Sequence, residues 1–349
     1  MQITAGRLPE PKTEYEARAV AFCRAWLSGQ ATFVLKTSGS TGTPKPITLS
    51  RTQMQASAAL TGRRFGLAAG DRALVCLNIE YIAGVMMLVR GLELGLDLTI
   101  VEPSVRPLDG FDPERDRFAF AAFVPLQMAA LLETPEQSLP FLNTMKAVLV
   151  GGAAVDRGLE NRIQAISAPV FSTYGMTETV SHIAVRQLNG PEKAGEFTVL
   201  EGVEIGVDER SCLHITAAAT GFRKIQTNDV VDLTGDGRFR LLGRADTIIN
   251  SGGVKIQPER VEEVAGEILI RAGFRGRFFV YGVPDERLGQ RVVLFMESVS
   301  LPDGVREELK DAVRREVGPY AVPKQFISVG GFDETPTGKI DKKKISQNH

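Results

Sequence analysis

Apolar and polar residues along the chain follow two alternating periods. Over residues 14–29 the period is helical, and Ala17, Val20, Ala21 and Trp26 are expected on one side of an amphipathic helix. Phe33, Val34 and Leu35 then read as a short strand running into a loop of Gly, Ser, Thr and Pro. Ser50 stands as the N-cap of a helix over RTQMQASAALTGRRF. ALVCLNI and LTIVEP read as buried strands around a helix near residues 82–94, and FAFAAFVP and AVLVGG repeat the arrangement around the helix LQMAALLE. Strands alternating with helices predict an α/β fold with a mostly parallel sheet.

The spacing changes after about residue 190. EIGV, CLHIT, VVDL and FRLLG are short strands separated by turn residues, and TGDG at 234–237 reads as a hairpin turn. They predict a small β-rich subdomain. A Gly-rich turn and a helix follow, then the strands FFVYGV and RVVLFMES, a charged helix over 304–317, and a polar tail containing TPTGKID. The expected division is a large α/β domain over residues 1–245 and a small α+β domain over 246–349.

Composition narrows the function. The chain has 349 residues, 43% apolar and 24% charged, the balance of an ordinary globular protein. Its 41 basic and 42 acidic residues give a net charge of −1, so it lacks the overall footprint for nucleic acid or an acidic membrane. Nucleotide binding needs no such footprint, because backbone N–H groups hold phosphates. Cys23, Cys76 and Cys212 have neither metal-ligand spacing nor a disulfide pattern, which fits a reducing compartment. His182, His214 and His349 cannot build a His-rich metal site. The N-terminus carries acidic residues and no apolar h-region, unlike a signal peptide. The richest apolar stretch, residues 81–89, is about two helical turns and ends at Arg90, short of a membrane span. A cytoplasmic protein without membrane span is expected.

Two segments carry candidate chemistry. Thr37, Ser38, Gly39, Ser40, Thr41, Gly42, Thr43, Pro44 and Lys45 put five hydroxyls, two glycines and a lysine directly after a strand. Glycines let backbone N–H groups turn toward an anion, hydroxyls add donors, and lysine adds a mobile positive charge. Gly/Ser/Thr runs are also common as plain linkers. The segment is not a Walker A loop, since Lys45 lies between Pro44 and Pro46 rather than between Gly and Ser or Thr. The second segment is Tyr174, Gly175, Met176, Thr177, Glu178 and Thr179, after a short apolar run. A carboxylate among hydroxyls at a strand end suits Mg²⁺, which takes one or two carboxylates plus phosphate oxygens. Taken alone, Glu178 reads equally as a solvated or capping residue.

TSGSTGTPK, YGMTET, Asp229 in QTND, GRADTIINSGG and Lys339 in TPTGKID occur in the order found in acyl-adenylate-forming enzymes. The chain resembles that superfamily, which includes acyl-CoA synthetases, peptide-synthetase adenylation domains and luciferases, from residue 37 to residue 339. SGGVKIQPERVE, LVGGAA, VPLQ, TYGMTETVSHIA and the compact segment 81–90 are most similar to the o-succinylbenzoate–CoA ligases of menaquinone biosynthesis. One departure is length. Members usually carry over 100 residues before the phosphate loop, and here there are 36. A second is Asn78-Ile79-Glu80-Tyr81, which stands where the family has a His-containing segment.

The resemblance implies ATP, Mg²⁺ and coenzyme A as cofactor and co-substrates, and two half-reactions. Acyl-AMP and pyrophosphate form first, and the acyl group then passes to the thiol of coenzyme A. It implies that residues 37–45 close over the β- and γ-phosphates and that Glu178 holds Mg²⁺. Gly151, Gly152, Ala153 and Tyr174 would form the adenine slot, and Thr177 would contact the α-phosphate. Asp229 would take the ribose hydroxyls, although the preceding Asn228 is more often Gly. Arg244 would contact ribose or phosphate. Asp246 would be the hinge of a mobile small domain, Gly252 and Gly253 would face the pantetheine tunnel, and Lys339 would be the adenylation lysine. Locally, Lys339 also reads as the start of a solvated basic tail with Lys342, Lys343 and Lys344.

For the acid, Arg90 is the first candidate and matches an arginine in some homologous ligases, with Tyr81, Gln127 and His182 beside it. An o-succinylbenzoate has two carboxylates, and the one not activated must be neutralised inside the protein. Arg90 also reads as a helix-end cation, and His182 as a wall or capping residue. Alternative functions are an aryl- or fatty-acyl-adenylating enzyme with a carrier-protein acceptor, or a nucleotide-binding regulator without catalysis. Small molecules are the expected partners, with a homodimer open to the chain.

Overall fold

The computed structural model describes every residue except 5–6, 37–45, 236, 275, 298–299, 336–339 and 349. These residues fall into two units. The first comprises Met1–Ile205, His214–Ile225 and Thr234–Phe239, and the second Gly206–Leu213, Gln226–Leu233 and Arg240–His349.

In the first unit the chain runs β1 (Gln2–Ile3), α1 (Glu14–Leu27), β2 (Thr32–Lys36), β3 (Pro46–Ser50), α2 (Arg51–Phe65), β4 (Arg72–Val75), α3 (Ile82–Leu94) and β5 (Asp97–Ile100). It continues through β6 (Phe120–Phe123), α4 (Pro125–Leu131), α5 (Pro135–Leu142), β7 (Ala147–Val150), α6 (Arg157–Ile163), β8 (Val170–Gly175), β9 (His182–Gln187) and β10 (Phe197–Val199). The sheet order is β1-β5-β4-β6-β7-β8-β9-β10. Strands β5, β4, β6, β7 and β8 pair in parallel, while β8 and β9 pair antiparallel. All four residues of β6 and of β7 are buried, as expected of parallel strands covered on both faces.

One face of β4, β6, β7 and β8 packs against α4, α5 and α6 through Phe123, Met128, Phe141, Val148 and Ile163. Another core cluster joins α1, α2, α3 and the β2–β3 hairpin through Trp26, Phe33, Met54, Val85 and Met86. The buried stripe of α1 corrects the expected one. Tyr15, Ala19, Val20, Cys23 and Trp26 are buried, and Ala17 and Ala21 are exposed. Tyr15, Ala19, Cys23 and Trp26 follow the i, i+4, i+8, i+11 spacing of one helix face, and the two alanines lie two residues off it. Ser50 does cap α2: its hydroxyl accepts the Gln53 N–H, and the Gln53 side chain accepts the Ser50 N–H.

Strands β11 (Glu204–Val207), β12 (Cys212–Thr216), β13 (Ile225–Gly235) and β14 (Arg238–Arg244) follow, their residues divided between the two units. The second unit then contains β15 (Ile249–Ser251), β16 (Val254–Ile256), α7 (Pro258–Arg271), β17 (Phe278–Asp285), β18 (Gly289–Glu297), α8 (Asp303–Glu316), β19 (Gln325–Val329) and α9 (Lys342–Gln347). Its sheet order is β16-β15-β18-β17, with β19 parallel to β18. Alternation along β17 and β18 makes two cores. Val280, Val292, Leu294 and Met296 pack with α7 and α8, while Phe279, Val293 and Phe295 pack with Phe332 and Ile345 of α9.

Candidate active site

The C-terminal ends of parallel strands are where open α/β sheets bind ligands. Gly151 follows β7, and its N–H donates to Phe123 O at 3.0 Å. A Cβ on Gly151 would lie 2.1 Å from Thr173 Oγ1 of neighbouring β8, so only glycine lets the two strand ends close. Gly152 and Ala153 are exposed beyond it. Tyr174 ends the buried part of β8. Its ring centroid lies 5.8 Å from that of Phe197 and 5.1 Å from that of Phe239.

Next comes a turn that the sequence did not signal. Thr177, Glu178 and Thr179 form a short 3-10 turn, with Thr177 buried and Glu178 exposed. Val180 then adopts φ 66°, ψ −55°, and Ser181 N–H donates back to Thr179 O at 2.8 Å. This is a γ-turn of the strained hand, rare for any residue and least suited to a β-branched one. Thr179 Oγ1 stitches the turn, lying 2.9 Å from Ser181 O and 3.0 Å from Met176 O. The chain folds back so tightly that a Cβ on Gly175 would meet Ser181 O at 2.3 Å.

On the far side of the turn the structure brings Arg90 and His182 together. Arg90 is 2% exposed, in the third turn of α3 rather than at its end. The helix continues to Leu94 and is capped by Gly95, so Arg90 is not a helix-end cation. Its Nε donates to Thr61 Oγ1 at 3.1 Å and its Nη2 to Ser181 Oγ at 2.6 Å, while Nη1 faces Met87 Sδ at 3.6 Å. Thr61 Oγ1 and Ser181 Oγ each lie 3.3 Å from a His182 ring nitrogen, Nε2 and Nδ1 respectively. Thr61 donates its hydrogen to Ser57 O at 3.1 Å. His182 Nε2 must therefore carry the proton toward Thr61, and Ser181 donates to Nδ1. A closed ring of hydrogen bonds results around a neutral imidazole. Burial holds His182 well below its ordinary pKa, reinforced by the charge of Arg90. That argues for a wall rather than an acid–base group.

Burial also lowers Arg90, from 12.5 to about 10, and no carboxylate opposes it among the described residues. A guanidinium has five N–H groups, and the ring and Met87 use three. Guanidinium N–H groups beyond these three are what pair with a carboxylate in other proteins. Thr61, the keystone of the ring, was not singled out in the sequence. Its one local signal is a threonine inside a helix bonding back to the residue four before it.

Tyr81 is the half-buried N-cap of α3, accepting Val85 N–H at its carbonyl. Gln127 is a correction. Its Oε1 accepts Val124 N–H at 3.1 Å, and its Nε2 donates to Cys76 O and Ser104 O at 3.3 and 2.8 Å. Both amide hydrogens tie together the segments that follow β4 and β5, leaving none for an acid.

In the second unit the structure joins three of the expected residues. Arg244 donates from Nη1 to Asp229 Oδ1 at 3.0 Å, and from Nε and Nη2 to Asp246 at 2.8 and 2.7 Å. Hydrogen bonding to Asp246 raises Arg244 and, reciprocally, lowers Asp246. Asn228 accepts Ala245 N–H at its carbonyl at 2.7 Å, and its side chain hydrogen-bonds Asp246. Gly252 and Gly253 both adopt positive φ, and a Cβ on Gly252 would press on the Tyr320 ring at 3.1 Å. The segment 37–45 and Lys339 lie outside the described residues. Among the described residues no group of three or more His, Cys, Asp or Glu side chains is arranged to hold a metal ion. A lone exposed Glu178 fits Mg²⁺ only as an ion held chiefly by phosphate oxygens, which is how Mg²⁺ is usually held.

Comparison with known proteins defines the class. Residues 10–210 match the AMP-binding enzymes, and residues 268–339 match the AMP-binding enzyme C-terminal domain. The chain belongs to the AMP-binding enzyme family. It is 43% identical to an acyl-CoA synthetase (AMP-forming)/AMP-acid ligase II-like protein from Dyadobacter fermentans, covering 100% of this chain and 99% of that one, with TM-score 0.68. It is 25% identical to the 2-succinylbenzoate–CoA ligase of Listeria monocytogenes, over 97% of this chain and 74% of that protein. The fold also matches o-succinylbenzoate coenzyme A synthetase from Bacillus subtilis in complex with ATP and magnesium ion, with TM-score 0.73, 22% identity and coverage of 89% and 68%. Among the described residues no helix is long and apolar enough to cross a membrane.

Proposed function

We propose that this chain is an ATP-dependent, AMP-forming carboxylate–CoA ligase whose acid carries a second carboxylate, and that the acid is o-succinylbenzoate. The observation that carries the reading is Arg90, a buried guanidinium bonded to hydroxyls and opposed by no carboxylate among the described residues. A substrate bearing its own second anion completes that site, and an acid with one carboxylate, used up in activation, does not. The names of the relatives supply the particular acid.

In the first step the activated carboxylate attacks the α-phosphorus and pyrophosphate leaves. In the second the thiol of coenzyme A attacks the acyl-AMP carbonyl and AMP leaves. Both steps rest on positioning and charge stabilisation. Residues 37–45 cover the phosphates, Thr177 contacts the α-phosphate, and Lys339 bridges the carboxylate and the α-phosphate oxygens. Glu178 holds Mg²⁺, which supplies charge neutralisation on the phosphates. Gly151, Gly152, Ala153 and Tyr174 form the adenine slot, and Asp229 and Arg244 take the ribose. Asp246 is the hinge at the start of a mobile domain over 246–349, and Gly252 and Gly253 face the pantetheine. ATP and coenzyme A as co-substrates support a cytoplasmic enzyme, and sedimentation would test for a homodimer.

Pyrophosphate release with a panel of acids, with and without coenzyme A, tests the reading. Turnover strongly favouring acids with two carboxylates, and thioester formed only with coenzyme A, is the expected result. Equal turnover of monocarboxylic acids would refute the acid assignment. ATP binding without turnover would make the chain a regulator.

A further inference from the structure

The described residues before 336 and after 339 are both held by specific contacts. On the near side Phe332 packs edge-on against Phe279, with ring centroids 5.1 Å apart, and its N–H donates to Glu297 Oε1 at 3.0 Å. Arg277 grips Glu297 with a fork, Nε to Oε2 and Nη2 to Oε1, each 2.7 Å. The remaining guanidinium nitrogen, Nη1, donates to Glu334 Oε1. On the far side Ile340 pairs with Glu334 in an antiparallel bridge, and Asp341 N–H donates to Asp333 O at 2.8 Å. Lys344 Nζ reaches Asp333 at 3.0 Å and Lys342 Nζ reaches Glu262 at 2.8 Å. Two of the three lysines after Lys339 are thus tethers, not a solvated run.

Lys339 is the immediate neighbour of Ile340, one peptide from the bridge that Glu334 closes. The fork on Glu297 fixes the guanidinium plane, so the direction of Nη1 is fixed, and with it the carboxylate of Glu334. Arg277 and Glu334 are 39% and 34% exposed at their side chains, so their ion pair adds little to stability. What it does fix is direction. A lysine acting as a point charge on a flexible stem depends on where its backbone is held.

We infer that Arg277, acting through Glu334, is a positioning residue that sets the base of the Lys339 segment for acyl-AMP formation. The inference rests on the reading of Lys339 as the adenylation lysine. Glu334→Ala, Glu334→Gln and Lys339→Ala in the full chain test it. Acyl-AMP formation is followed by pyrophosphate release, and thioester formation is followed from supplied acyl-AMP.

Glu334→Ala should slow acyl-AMP formation by roughly 10- to 100-fold through kcat, the scale of a misplaced catalytic group, with KM for ATP and acid little changed. Thioester formation and the melting temperature should stay near those of the unaltered protein, and Glu334→Gln should recover most of the loss. Both half-reactions falling together with the melting temperature would make Glu334 structural and overturn the inference. An inactive Lys339→Ala beside an unaffected Glu334→Ala would overturn the inference alone. A Lys339→Ala that still makes acyl-AMP would overturn the lysine assignment and the inference with it.

Discussion

Replacing Arg90 by methionine should impair one acid and spare another, at a modest cost in stability. The drop of its pKa from 12.5 to about 10 has burial as its cause. It corresponds to roughly 3 kcal/mol of cost in keeping the charge out of water. Against that stand the hydrogen bonds to Thr61 and Ser181, charged bonds worth about 1.5–3 kcal/mol each and about 3–6 kcal/mol together. Neither partner is stranded when Arg90 goes. Thr61 keeps Ser57 O and His182, and Ser181 keeps His182. Arg90→Met should therefore cost the free protein between about 0 and 3 kcal/mol, with the buried methionine recovering part of it. Breaking a buried pair with one charge left behind would instead cost about 3–5 kcal/mol. For o-succinylbenzoate, loss of a charge-assisted bond should lower kcat/KM by roughly 10- to 100-fold. For 4-phenyl-4-oxobutyrate, which lacks the aromatic carboxylate, kcat/KM should not fall. Urea titration of the free protein and steady-state kinetics on both acids give the comparison. A variant that loses stability and is impaired equally on both acids would show Arg90 to be scaffold, and the argument for a second carboxylate would fall.

Two other perturbations follow from the second unit. Asp246→Pro fixes φ near about −65° and should trap one domain orientation, sparing acyl-AMP formation more than thioester formation; unchanged rates of both would remove Asp246 as the hinge. Glu259 sits against Gly243 with Oε1 on Thr247, and burial raises its pKa. A raised carboxyl favours folding fully below its unfolded pKa, and that contribution is lost as pH rises through the folded value. Glu259→Gln should then raise the melting temperature at pH 8 relative to the unaltered protein and give no gain at pH 4, and a gain at pH 4 alone would contradict the burial argument.

The strands of the first unit were legible because parallel strands buried on both faces read as continuous apolar runs, as in FAAF and AVLV. The cap of α2 was legible because a capping box is local, Ser50 to Gln53. Helix α5 was not, since Pro140 lies inside it, and α6 is only seven residues long behind its Asp156 cap. Strand β9 was hidden by the turn at Val180, where no glycine or asparagine announces a positive φ. The motif residues of the site stood out by type and order. Their connections did not, because the Arg90 ring joins residues 29, 91 and 121 positions apart. Gln127 failed for the same reason: two of its partners, Cys76 O and Ser104 O, lie in distant segments that follow β4 and β5.

The turn at Val180 has a consequence for anyone redesigning the protein. A non-glycine residue held in that conformation stores about 1–3 kcal/mol. Yet the Val180 side chain is fully buried in the cluster with Trp26, Met54, Val85, Met86 and Val89. Burial of a valine contributes about 1.5–3 kcal/mol, the same order as the strain, so the side chain is the peg that keeps the backbone bent. A repair by the usual rules would install glycine there and relax the loop. It would also pull out the peg, and Glu178 on one side and Ser181 on the other would lose their common reference point. The strain relieved and the burial lost are of the same size, so glycine there would gain no stability while unseating the turn. How much change the loop tolerates is set by the packing of α1, α2 and α3 beneath it, so evolvability at the surface is governed from the core.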